Sequence, residues 1–131
     1  MTLADAFLHL FTPLPFVVMI GGVLLGIAVG VMPGITAGML LALTLPFTYS
    51  MKSVDAIILL VSMFVGGVSG GLVTATLMRI PGEPSAIMTT LDGYPLAQKG
   101  RAGAALTAAF TSSFIGALVA VILITFISPV I

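Results

Sequence analysis

Charge interrupts this chain at only eight positions: Asp5, Lys52, Asp55, Arg79, Glu83, Asp92, Lys99 and Arg101. Between them lie long apolar runs, 6–51, 56–78 and 102–131, that carry no ionised side chain. A helix that crosses the hydrocarbon of a bilayer needs roughly 20 residues. The second and third runs each suffice for one crossing. The first would be ~69 Å long as a single helix at ~1.5 Å per residue, more than twice the ~30 Å hydrocarbon thickness, so it has to turn. Gly30-Val31-Met32-Pro33-Gly34 supplies the corner, because Pro33 has no N–H and Gly34 is free to leave the helical region. The pattern predicts an all-α membrane protein with about four hydrophobic segments, 6–32, 35–51, 56–78 and 102–129, and a polar connection over 79–101.

The segment after the corner is short and carries Thr36, Gly38, Thr44 and Pro46, which marks 35–49 as a broken or re-entrant helix. The third segment is interrupted near its middle by Gly66, Gly67, Gly70 and Gly71. The connection 79–101 holds five of the charges, with Pro81, Pro84 and Pro95 as breakers. The positive-inside rule weighs Arg79, Lys99 and Arg101 against Lys52 and puts that connection on the cytoplasmic side. The first residues hold Asp5 and no Lys or Arg ahead of the apolar run, so they are expected to stay as a membrane segment and not to be cleaved as a signal peptide.

Composition narrows the function classes. Hydrophobic residues make up 60% of the chain against 6% charged, with mean hydropathy +1.32, far outside soluble globular composition. The formal net charge of zero leaves no basic surface for a phosphate backbone, so nucleic acid is excluded as a partner. No Cys and one His cannot build a zinc or iron–sulfur site. An intramembrane serine protease needs a His base beside Ser, and an aspartyl mechanism needs two acids inside the apolar runs; neither constellation exists. There is no Gly-rich Lys-Ser/Thr phosphate loop, so ATP has no binding device of that kind. The chain is not expected to be an enzyme or to hold a cofactor.

Gly22, Gly26 and Gly30 recur every four residues, a spacing that lets two helix backbones approach closely. The second set, Gly66/Gly70 and Gly67/Gly71, puts four glycines into six residues at about 1 kcal/mol each against Ala. That density predicts a locally unwound stretch near the membrane midplane, with Gly70 and Gly71 lining a substrate path and Ser69 and Thr74 beside them. Two Pro-Gly corners open short hydroxyl-bearing segments: Pro33-Gly34 with Thr36, and Pro81-Gly82 with Ser85 behind Pro84. Free N–H groups and the positive end of the helix dipole at such a corner hold a carboxylate without a cationic side chain. The alternative is that both are ordinary turns. Glu83 is either a ligand for a coupling cation, Na+ or H+, or a solvated loop acid. Asp92-Gly93-Tyr94-Pro95 reads as a turn, His9 as an interfacial side chain, and Thr111, Ser112 and Ser113 as hydroxyls bonded to their own helix.

Residues 30–38 (GVMPGITAG), 66–85 (GGVSGGLVTATLMRIPGEPS) and 89–104 (TTLDGYPLAQKGRAGA) resemble, in order and over almost the whole chain, the large membrane subunit of the tripartite tricarboxylate transporters. The resemblance implies a permease that forms the translocation path in the bacterial inner membrane. It implies two partners, a small membrane subunit and a periplasmic carboxylate-binding protein, and an uptake of carboxylates such as citrate driven by an ion gradient. Members of the family are several times longer, with a second related half, so this chain looks like the N-terminal portion. Two other classes compete: a truncated assembly subunit that does not transport alone, and a small channel-like oligomer, for which no ring-forming polar helix face is found.

Overall fold

A computed structural model describes residues 3–128. It is built of helices, with no strand among the described residues. In chain order they are α1 (Leu3–Leu10), α2 (Pro13–Gly30), α3 (Ala37–Thr48), α4 (Ser53–Met78), α5 (Ile87–Leu96) and α6 (Ala102–Ile127). Three helices are long and apolar enough to cross a membrane, and α3 is a shorter apolar one.

The expected first segment divides in two. Thr12 is extended, and its hydroxyl closes the end of α1 on the His9 carbonyl at 2.6 Å. Pro13 then opens α2, where a missing N–H costs nothing. The corner at 30–34 falls where the sequence puts it: α2 stops at Gly30, and Gly34 takes φ +95. Thr36 starts α3, its Oγ1 accepting the Met39 N–H at 3.2 Å.

The organising contact is the pairing of α2 with α4. Gly22 lies on Ser62, Gly26 on Gly66 and Gly30 on Gly70, so the two helices run parallel in a fixed register with their backbones touching. This corrects the expectation of an unwound glycine stretch, since α4 is helical without a break from Ser53 to Met78. The four glycines are spent on close packing over two faces: Gly66 and Gly70 on α2, Gly67 on Ala37 of α3, and Gly71 on Gly82. Backbone contact along this length offsets their low helix propensity.

The connection 79–101 is mostly helical. Pro84–Ala86 form a 3-10 turn that leads into α5, whose Ala86 end packs on Leu72 and Ala75. Asp92-Gly93-Tyr94-Pro95 is helical and not a turn; Gly93 sits against Thr76 and Thr89, which fixes the helix through those residues. The reversal comes later, in one wide turn at Ala97–Arg101, where Gly100 has φ +77. Beyond Ala105, α6 is largely exposed, and its apolar surface is available to lipid or to another membrane helix. Thr111 and Ser112 bond backward to carbonyls of α6 itself.

Candidate functional site

The parallel register fixes the depth of the corners. Ala37, the first residue of α3, meets Gly67 near the midpoint of α4, so the N-terminus of α3 opens well inside the length of that helix. From there α3 runs back toward the start of α4, and the chain returns through Ser50 and Met51 into Ser53. A helix N-terminus at this depth presents unpaired N–H groups where water is scarce.

The second corner comes to the same place. After α4 ends at Met78, Arg79 takes a left-handed conformation (φ 59, ψ 24) and turns the chain back. Gly82 then lies on Gly71, with the Gly30 carbonyl and Thr74 next to it; a Cβ at Gly82 would come within 2.8 Å of the Gly71 Cα. Only glycine at position 82 permits this approach, whereas a Cβ on Gly71 would meet Gly82 at an ordinary contact distance of 3.5 Å. Glu83 follows and reaches across to α3, where its Oε1 accepts the N–H of Ala37, 46 residues away in sequence. The two Pro-Gly corners thus form one assembly, held against Gly67, Gly70 and Gly71 of α4.

The predicted residues divide within this assembly. Gly70, Gly71 and Gly82 are buried in backbone contacts, and Thr36 and Glu83 are half-buried at the mouth of α3. Pro33, Gly34, Pro81 and Ser85 are exposed along its rim. Thr36 spends its hydroxyl on capping α3, while Ser85 shows no hydrogen bond to the corner. Gly70 faces the Ile27 carbonyl and Gly30, so its contact is with α2. Arg79 lies over the Tyr94 ring at 5.9 Å from the centroid, on the α5 side of the assembly. Thr74 and Thr76 fill the interior behind it, bonded to the carbonyls of Gly71 at 3.0 Å and Leu72 at 2.8 Å.

Sequence reasoning missed two participants. The Ala37 N–H is the donor that receives the carboxylate, and Gly30 is shared between α4 and the second corner. The Pro33-Gly34 corner with Thr36 pointed to a helix start there, but no local signal joined that start to Glu83. Chemically, the assembly holds a carboxylate by backbone N–H and helix dipole, with no cationic side chain bonded to it. Among the described residues no group of three His, Cys, Asp or Glu side chains is placed to hold a metal ion.

The sequence model of the tripartite tricarboxylate transporter TctA family matches residues 16–131. A protein of Agrobacterium vitis, described as an uncharacterized 52.8 kDa protein in the TAR-I ttuC' 3' region, is 41% identical over 118 residues. That alignment covers 90% of this chain and 24% of the relative, so the chain spans about a quarter of the relative's length. No solved structure matches.

Proposed function

Because the chain belongs to the tripartite tricarboxylate transporter TctA family, a family of transporters and not of enzymes, we propose that it is a permease component for uptake of tricarboxylates or related carboxylates. It is a multi-pass membrane protein by its three long apolar helices. In this reading it sits in the bacterial inner membrane beside a small membrane subunit, and a periplasmic binding protein delivers the carboxylate. An ion gradient of Na+ or H+ drives the uptake.

The observation that supports the reading is the seat of Glu83: a carboxylate of the chain itself occupies the N-terminus of α3 on the Ala37 N–H. A substrate carboxylate has the same donor requirements and takes this place in turn, with Pro33, Gly34 and Thr36 on one side and Pro81, Gly82 and Ser85 on the other. Gly71, against Gly82 and Glu83, keeps the floor free of a side chain, while Gly70 holds α4 on α2. Glu83, once displaced, is an uncompensated carboxylate in a water-poor setting, and a cation is its natural partner. Entry of the anion and binding of the cation are then two halves of one exchange.

A second reading, an assembly subunit or fragment that needs a further half, draws on the coverage of only 24% of the relative. Uptake by the complete complex in proteoliposomes separates the two, titrating citrate and cation independently. Glu83→Gln is expected to lose cation dependence while citrate affinity stays within a few fold, because the amide oxygen still accepts the Ala37 N–H. Thr36→Val and Ser85→Ala are expected to weaken citrate binding at constant cation. Parental behaviour in all three variants would reduce both corners to turns and leave the assembly role.

A further inference from the structure

Arg79, Lys99 and Arg101 gather at one end of the helices and make no ion pair among the described residues. Arg79 ends α4 in its left-handed conformation and lies over the Tyr94 ring, 5.9 Å from the centroid. The Tyr94 hydroxyl accepts a hydrogen bond from Gln98 Nε2 at 2.8 Å, which ties the ring to the reversal Ala97–Arg101, where Lys99 and Arg101 flank Gly100. All three cationic side chains are exposed. The ring covers one face of the guanidinium, and the N–H groups around its edge remain for an acceptor. No side chain caps the start of α6 at Arg101, so the positive end of that helix dipole adds to the same place.

Neither acid in this part of the chain answers those charges. Glu83 Oε1 is engaged by the Ala37 N–H. Asp92 lies two residues before Tyr94, ~200° around α5, and borders the cleft between α5 and α6 with Met88 and Ser112. The other end of α4 differs, because its cation, Lys52, stands within one helical turn of Asp55. The three cations sit at the ends of apolar helices: α4 stops at Met78, α5 at Leu96, and α6 starts at Ala102 and is largely exposed beyond Ala105. Tyrosine beside them suits the level where hydrocarbon meets water. A ligand that fits carries negative charge at the reversal and hydrocarbon along α6. A phospholipid has both parts, whereas a soluble anion or an acidic peptide has only the first.

We propose that Arg79, Lys99 and Arg101 bind the phosphodiester of an anionic phospholipid whose acyl chains lie along α6. Arg79 is the fixed member, held on Tyr94, and the two cations of the reversal close on the headgroup from α6. The site is separate from the carboxylate assembly, and a lipid bound there is detectable without any transport.

Native mass spectrometry of the whole chain in detergent tests this, titrating phosphatidylglycerol, phosphatidylcholine and inorganic phosphate separately. The expected result is saturable retention of phosphatidylglycerol by the parent, weak retention of phosphatidylcholine, and no displacement of the bound lipid by phosphate. Arg79→Gln and Arg101→Gln should each weaken phosphatidylglycerol by about fivefold, the effect of one cation at an anionic surface. Lys52→Gln removes the same charge from the opposite end and should bind as the parent does. Equal retention of the two lipids, or an equal loss in Lys52→Gln, overturns the proposal, because net charge or hydrocarbon alone then accounts for the binding. Displacement by phosphate also overturns it, since the cations then serve a soluble anion. If circular dichroism shows Arg79→Gln unfolded, the double variant Lys99→Gln, Arg101→Gln decides: parental affinity there overturns the proposal.

Discussion

Two glycines on α2, five residues apart, answer to alanine with opposite signs. A Cβ built on Gly26 comes within 2.8 Å of the Gly67 nitrogen and 2.9 Å of the Gly66 Cα, and nearer still to the Met63 carbonyl oxygen. Ordinary contact begins at 3.4 Å, and every atom met is α4 backbone, which has no rotamer to move to. The helices must part by upward of about half an ångström along a seam of backbone contacts, where a gap of this size forfeits a quarter or more of the dispersion well. Overpacking of this kind costs about 1–3 kcal/mol, and the rigid neighbours place Gly26→Ala toward the upper end. The alanine returns ~1 kcal/mol of helix propensity, which leaves a net loss of about 2 kcal/mol. Gly21 meets nothing within 4 Å, so Gly21→Ala keeps the propensity gain without the clash. The two variants should therefore differ by about 3 kcal/mol. Unfolding in mixed micelles by increasing SDS fraction, followed by circular dichroism, reads the difference. Gly26→Ala that unfolds with or after Gly21→Ala would refute the backbone-contact seam.

Arg79 is the only described non-glycine residue at positive φ. Arg79→Gly should exceed Arg79→Ala in thermal stability by about 1 kcal/mol, since both lose the Tyr94 contact and only glycine relieves the left-handed strain; equal melting temperatures would contradict this. At the reversal before α6, Gly100→Ala is expected to destabilise by roughly 1 kcal/mol because of φ +77, whereas Gly103→Ala, with open space at its Cβ, is neutral or stabilising in the same melt.

What could be read from the sequence was what depends on neighbours along the chain. The corner at Gly30–Gly34 follows from Pro33 and the length of the apolar run, and the shortness of α3 from the few apolar residues left between that corner and Lys52. The glycine spacing on α2 correctly signalled close packing. The misreadings, apart from the division at Thr12, turn on tertiary contact. Four glycines in six residues look like a helix failure until α2, α3 and Gly82 are found pressed against them. Asp92-Gly93-Tyr94-Pro95 has turn residues throughout, yet Gly93 is held helical against Thr76. The division at Thr12 rested on Pro13 and Pro15, a signal overshadowed by the apolar run around it. At the site, both corners were visible singly, but their junction through Glu83 and Ala37 joins residues 46 apart, and no local pattern encodes that distance.

The central claim is that the two corners form one carboxylate seat on the N-terminus of α3, and the amide proton of Ala37 reports on it directly. Its chemical shift, measured by nitrogen-labelled NMR in detergent for the parent and for Glu83→Ala, with and without citrate, is the decisive quantity. The account predicts a downfield amide in the parent, an upfield move in Glu83→Ala, and a saturable return downfield when citrate is added to that variant. An Ala37 shift that is the same in both proteins and unmoved by citrate would contradict it.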